Sequence, residues 1–354
     1  MKIDNEVKLD FDDVLLVPQR SYAASRKEVN LKRNFKFYWS NKEWHGVPLM
    51  AANMDTTGTF NMGKSLNNYE AITCLHKHYS AEAIDGYYKY YNVESNVWVS
   101  IGMNLDYELE RLFEIEDNTS HEPNICIDIA NGYTEKFVDY CAKIRLEFPN
   151  SIIMAGNVAT PEMVSELILH GEVDIVKVGI GPGSACTTRL KAGVGYPQLS
   201  AIAECSHVAH GLRSDAGRLG LICADGGCRY PADVAKAYAA GADFVMLGGM
   251  LAGTKECEGE WVEKAGTKYL TFYGMSSKKA QEKHSGGLLN YRSSEGRVKK
   301  VAYKGEASLV INDILGGVRS ACAYTGATSL KDFNKTARFV RVNRTHNDLS
   351  VEKL

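Results

Sequence analysis

Short runs of β-branched and apolar residues recur along the chain at fairly even spacing: 47–53, 72–76, 97–101, 125–129, 152–156, 175–179, 219–224 and 244–249. Each run is apolar almost throughout, the pattern of a strand buried on both faces. Between them lie amphipathic stretches such as 135–148, 161–170 and 231–240, the last two opening on Pro161 and Pro231 in a first helical turn. Eight strands alternating with helices predict an α/β fold with a parallel sheet covered on its outer side, and eight is the number that closes a (β/α)8 TIM barrel. An open doubly wound sheet is the alternative. Two features favour the barrel. Polar residues or glycines stand at the C-terminal ends of many runs, where barrel sites are built, and no G-x-G-x-x-G opens an early βαβ unit.

After the eighth run the repeat breaks. Residues 253–310 carry glycine-rich and charged stretches around Tyr273-Gly274-Met275-Ser276-Ser277 and Tyr291-Arg292-Ser293-Ser294-Glu295-Gly296. Insertions of this length in compact domains are commonly functional, so the segment reads as a long flap that contacts a ligand. Length alone leaves one or two domains open. With no linker and no low-complexity tract, the expectation is a single catalytic domain over 1–354, with the 253–310 flap inside it and no regulatory insertion.

Composition narrows the partners. Charges nearly cancel, at −2 overall, and the basic residues are scattered, so no cationic face is available for a nucleic acid. No apolar run approaches the roughly 18 residues of a membrane span. Met1-Lys2-Ile3-Asp4-Asn5 lacks the layout of a signal peptide and Val351-Glu352-Lys353-Leu354 matches no retention or import signal, which makes the cytoplasm the expected compartment. Nine cysteines with no C-x-x-C pair read as reduced thiols, most of them small core residues.

One cysteine has an unusual setting. The sixth run ends in Gly179-Ile180-Gly181-Pro182-Gly183-Ser184-Ala185-Cys186-Thr187-Thr188-Arg189. Its glycines expose backbone NH and CO groups to a small ion or an anion. Hydroxyl neighbours and Arg189 would favour the thiolate form of Cys186. An average cysteine packs as an inert hydrophobe, but at a barrel mouth, between glycines and threonines, an apolar pocket is hard to arrange, so Cys186 reads as a nucleophile. Asp225-Gly226-Gly227 and Gly248-Gly249 close the seventh and eighth runs, where barrels hold phosphate on backbone NH groups; Asp225 suits ribose hydroxyls instead. A Gly-Gly pair alone is weak, because turns need glycine anyway. Glu295 is a flap carboxylate, and most such residues are solvated charges. His76 and His78 lack a third metal ligand, which leaves cofactor contact or simple packing.

Together these runs resemble the inosine-monophosphate dehydrogenase/GMP reductase family, on its reductase side. The matching stretches are 8–16, 51–56, 178–189, 193–198, 244–253, 272–277 and 291–296, spread over nearly the whole chain. The resemblance implies NADPH-dependent reduction of GMP to IMP with release of ammonia, on a homotetramer. Cys186 would add to the purine C2, with Thr188 and Glu295 handling the proton. It also implies GMP contacts at Ser184, Asp225, Gly226, Gly227, Gly248, Gly249, Gly274, Met275, Ser276, Arg292, Ser293, Ser294 and Gly296. NADPH contacts are implied at Lys77, Asp128, Ile129, Ala130, Ile180, Gly181, Met275, Tyr291 and Arg292. Ser25, Arg26, Ser320, Ala321, Cys322 and Ala323 would reach the cofactor across a subunit boundary, with Arg26 on the 2′-phosphate. A potassium ion is implied on the carbonyls of Gly181, Gly183, Cys186 and Arg189. The dehydrogenase is the near rival, but its regulatory insertion is missing and its Arg-Tyr flap pair is not here; the only Arg-Tyr, Arg229-Tyr230, follows the Asp225 loop. A nucleotide-binding sensor without catalysis is the rival from another class, and the joint presence of Cys186, Thr188 and Glu295 argues against it. The chain departs from the family in having Ala224 where serine is usual and a short insertion at 214–220.

Overall fold

In the computed structural model, which describes residues 3–21, 25–91, 96–284 and 294–343, all eight runs are strands. They are Leu49–Ala51, Ile72–Leu75, Val97–Ile101, Ile125–Asp128, Ile153–Val158, Ile175–Val178, Leu221–Asp225 and Phe244–Leu247. Each pairs in parallel with the next, and Val245–Leu247 pairs with Leu49–Ala51, so the sheet closes into a barrel in chain order. The amphipathic stretches form the outer helices Glu135–Glu147, Pro161–Leu169 and Pro231–Ala239.

The strands are apolar along most of their length because both faces are buried, against different partners. Alternate side chains such as Met50, Cys74, Trp98, Cys126, Met154, Ile175, Cys223 and Phe244 fill the barrel interior. Their neighbours, including Leu49, Val99, Ile127, Ala155, Val176 and Ile222, pack outward against the helices. Strand direction then puts every C-terminal end on one rim. The opposite end is closed by an antiparallel hairpin, Arg33–Lys36 with Glu43–Gly46, whose Phe35 and Trp44 rings lie 4.6 and 5.5 Å from the ring of Phe244.

The segment after the eighth strand is more regular than its sequence indicates. Trp261–Lys264, Thr267–Tyr273 and Val298–Ala302 form a three-stranded antiparallel sheet, and Lys278–His284 is a helix. The short 214–220 insertion is also regular, a hairpin of Arg213–Ser214 and Gly217–Arg218. Its Arg218 lies 3.4 Å from Asp243, just before the eighth strand, which puts the hairpin at the rim opposite the Asp225 loop.

Near that closed end, one buried ion pair ties several loops together. Arg145 donates to the carbonyls of Phe148, Pro149, Ser151 and Glu172, and its Nη2 lies 2.6 Å from Asp174 Oδ2. Asp174 in turn accepts the backbone NH groups of Ser40 and Ile153. Burial pushes the Asp174 carboxyl above its ordinary range even with the guanidinium beside it. Arg145→Leu leaves that charge and four carbonyls without their partner, and is expected to cost about 3–5 kcal/mol in urea unfolding. Because the pair ties loops at the closed end of the barrel, the loss should appear in unfolding alone; an unchanged unfolding midpoint would show that water replaces the arginine.

Candidate active site

Inward-facing positions at the C-terminal rim are polar where those deeper in the barrel are apolar. Asp128, Lys177 and Asp225 continue the inward series of Cys126, Ile175 and Cys223 on their strands. Lys177 is only 2 % exposed, and its ammonium is hydrogen-bonded to Asp128 Oδ1 and lies 3.1 Å from Asp225 Oδ2. Burial works against the charged form of Asp128, but Lys177, with help from Asn53 and Lys77, outweighs it and holds the carboxyl below its ordinary range. Burial likewise opposes the lysine charge, and the two aspartates more than reverse this. Asn157 completes the group: its Nδ2 donates to Asp225 Oδ2 and to the carbonyl of Gly179, both at 2.8 Å. The first residue of the glycine-rich loop is therefore tied to the charged network.

That loop turns sharply. Gly181 has φ +82°, and at Gly226 and Gly227, which face it, φ is +84° and +88°, a region other residues rarely adopt. The turn leaves Cys186 half-buried in the cleft. Its Sγ is 3.2 Å from Thr188 Oγ1, and Thr188 donates to Glu295 Oε2 at 2.7 Å. Glu295 comes from the flap, delivered by backbone pairing. Thr187 NH donates to Glu295 O at 2.7 Å, Arg297 NH donates to Ala185 O at 2.9 Å, and Cys186 and Gly296 form an antiparallel bridge. Gly296 also bridges to Ser277, where a β-carbon would lie 2.7 Å from the Ser277 nitrogen. A thiol, a hydroxyl and a carboxylate in series can form a covalent bond to an electrophilic carbon and move a proton beside it.

One cleft gathers most of the expected residues. It is lined by Cys186, Thr188 and Glu295, by Ser184, Asp225, Gly226, Gly227, Gly248, Gly249, Gly274, Met275, Ser276 and Gly296, and by Asp128, Ile129, Ala130, Ile180, Gly181 and Gly183. Lys77 lines an adjoining chamber with Asp128, Met275 and Ser276. Ser294 stands at the edge of the cleft, donating to Gly296 O at 3.2 Å. Arg26 and Ser320 line a separate surface groove, and Arg26 lies over the Tyr324 ring, so within one chain this group does not meet Cys186. Cys322 is fully buried in the core, which leaves its side chain no access to a ligand. Tyr291, Arg292 and Ser293 lie outside the described residues.

Arg189 corrects one expectation. Its guanidinium binds Asp10 at 2.9 Å and the Tyr196 carbonyl at 2.7 Å, so its charge is directed to the N-terminal segment and not to Cys186. For a potassium ion the relevant groups are carbonyls. Among the described residues Gly183 O already accepts the Cys186 NH at 2.9 Å, whereas the carbonyls of Gly181 and Cys186 accept no hydrogen bond, as suits oxygen ligands of a hard cation. Lys177 escaped the sequence reading, and Asn157 was read only as a polar residue at the C-terminal end of its strand. Lysine in the otherwise apolar Ile175-Val176-Lys177-Val178 was the available signal.

The chain is similar to known proteins over nearly its whole length. The profile of the family described as IMP dehydrogenase / GMP reductase domain matches residues 8–350. A GMP reductase of Photobacterium profundum is 50% identical over 351 residues, covering 99% of each chain. GMP reductase 1 of Homo sapiens is 50% identical over 351 residues, and a GMP reductase of Escherichia coli O81 (strain ED1a) is 50% identical over 349, each covering 98% of both chains. No helix among the described residues is long and apolar enough to cross a membrane. The chain belongs to the IMP dehydrogenase / GMP reductase family.

Proposed function

We propose that this chain reduces GMP to IMP with NADPH and releases ammonia, through a covalent bond between Cys186 and the purine C2. The observation that carries this reading is the series Cys186 Sγ, Thr188 Oγ1, Glu295 Oε2, assembled from a barrel loop and the flap. The C2–S bond forms as the C2–N bond breaks, and the nitrogen leaves as ammonia only if it is protonated, because an amide anion is a very poor leaving group. Thr188 and Glu295 are in line to supply that proton. NADPH, when bound, would supply the hydride that C2 takes up; the thiolate of Cys186 then leaves C2, which gives IMP and regenerates the nucleophile. Asp225, fixed by Lys177 and Asn157, retains Oδ1 for a ribose hydroxyl, while Ser184 and the Gly226-Gly227 and Gly248-Gly249 turns take the phosphate.

The same reading includes a potassium ion at Gly181, Gly183, Cys186 and Arg189, a homotetramer in the cytoplasm, and NADPH contacts at Ser25, Arg26, Ser320, Ala321 and Ala323 from a second subunit, the Cys322 side chain being excluded by its burial. The separation of the Arg26 groove from Cys186 within one chain supports that division of the cofactor site. Against the dehydrogenase, Arg229 is engaged by Asp12 and Asp233 at the start of an outer helix, so Arg229-Tyr230 is not available to activate water at C2.

The direct test is to mix the protein with GMP and NADPH and follow NADPH absorbance and ammonia. GMP binding without either change would reject the reductase reading, and turnover only with IMP and NAD would select the dehydrogenase. Cys186→Ala should lower turnover by more than about 10³-fold while GMP still binds. Glu295→Gln should slow ammonia release by about 10²–10⁴-fold and spare hydride exchange between IMP and NADP; equal losses in both would assign the carboxylate to folding of the loop. Lys177→Met should raise the GMP KM roughly tenfold, since one of two uncompensated carboxyls turns neutral and its ribose contact weakens. A carboxyl raised in this way ionises again as pH increases, so the KM defect should shrink on the alkaline side; a pH-independent defect would point to a packing loss instead.

A further inference from the structure

His76 and His78 lacked a third ligand in the sequence, and the fold supplies two residues that complete the set for His78. Asp55 follows the first barrel strand, His78 follows the second, and His284 ends the flap helix Lys278–His284. One potential ligand atom from each lies within 4.8 Å of the others. Asp55 is 4 % exposed. Its Oδ2 accepts from Tyr273 Oη at 2.7 Å and lies 2.6 Å from His284 Nε2 and 3.1 Å from Lys283 Nζ. Its Oδ1 is buried with no hydrogen-bond partner among the described residues, and His78 Nε2 stands 3.8 Å from it. A buried carboxylate oxygen left unpaired beside an imidazole is costly unless something binds it.

We propose that Asp55, His78 and His284 bind a late first-row divalent cation of the Zn2+ class, fastening the flap helix to the barrel rim. Two imidazoles and one carboxylate are the donors such cations prefer, at about 2.0–2.2 Å, and they do not suit Mg2+ or Ca2+. Asp55 Oδ1 is the oxygen used, so Tyr273 stays on Oδ2. The imidazoles of His78 and His284 are stacked, with centroids 3.4 Å apart and planes 4° from parallel. A cation cannot lie in both ring planes at once, so His284, at the helix end, turns out of the stack when the ion binds. Lys283 is the competing charge; with 54% of its side chain exposed it is free to withdraw into solvent. The cation is distinct from the potassium ion above, which takes backbone carbonyls of the Cys186 loop.

The test is calorimetric titration of the full-length protein with Zn2+, using Cys186→Ala as background so that the nucleophile's thiol does not compete, together with the visible spectrum of the Co2+ form. One ion per chain is expected, with a spectrum free of thiolate charge-transfer bands. His78→Ala and His284→Ala should each weaken binding by at least roughly the 10–100-fold that loss of a supporting partner costs at a metal site. Lys283→Gln should tighten binding, because it removes the competing cation without touching a ligand. Absence of binding, or binding unchanged in both histidine variants, would overturn the proposal and leave the cluster as an ion-pair latch on Asp55. These readouts involve neither GMP nor NADPH, so their failure is separable from failure of the reductase reading.

Discussion

The buried ammonium of Lys177 is the interaction on which the upper half of the barrel depends. Parallel closure brings the ends of eight strands to one rim, and two of the inward side chains there are carboxylates, Asp128 and Asp225. Two carboxylates sharing a poorly hydrated site cannot both stay ionised without a cation. Lys177 meets that need from below, where no water competes, and its own burial is tolerable because both aspartates face it. The effect then passes outward: Asn157 joins Asp225 to the Gly179 carbonyl, where the loop bearing Cys186 begins. The orientation of the thiol is thus tied to a charge balance made at the end of the strand that leads into its loop.

The second half of the site arrives from 107 residues downstream. Glu295 is held less by its own side chain than by the chain around it, through the Thr187–Glu295 and Ala185–Arg297 backbone bonds and the Arg297 guanidinium on the Ser184 carbonyl at 2.8 Å. The same insertion is fixed at its other side by Tyr273, Lys283 and His284 on Asp55. Two attachments to different parts of the rim define where the carboxylate sits. This arrangement suits a site that must admit a nucleotide and then exclude water, since the flap's contacts are largely polar and exchangeable with solvent.

Much of this was legible in the sequence because burial on both faces writes an unambiguous signal. All eight barrel strands came from apolar runs, and Pro161 and Pro231 marked the starts of their helices. The insertion was not legible. Val298–Ala302 alternates between exposed and half-buried residues, so a sheet packed on one side only reads like a charged loop. Lys177 was concealed by the opposite habit, that of taking Ile175-Val176-Lys177-Val178 as uniformly apolar; its inward parity with Ile175 was the missed clue. Arg189 was read by proximity to Cys186, whereas its partner is Asp10, on the far side of the sequence. Pairings of that kind, like Asp55 with His284, depend on topology and leave no local trace.

The order of groups at the thiol bears on why a hydroxyl stands between sulfur and carboxylate. With Thr188 Oγ1 at 3.2 Å from Cys186 Sγ and 2.7 Å from Glu295 Oε2, the carboxylate charge is kept one hydrogen bond away from the sulfur. A carboxylate placed directly on the thiol would oppose formation of a thiolate by like-charge repulsion. Through the hydroxyl it can still accept or return a proton, because Thr188 donates on one side while accepting on the other. In the proposed reaction the sulfur must be nucleophilic in the first step and a leaving group in the last, whereas the nitrogen must leave protonated. A relay that conducts a proton without lending its charge serves both demands, which neither Cys186 nor Glu295 meets alone.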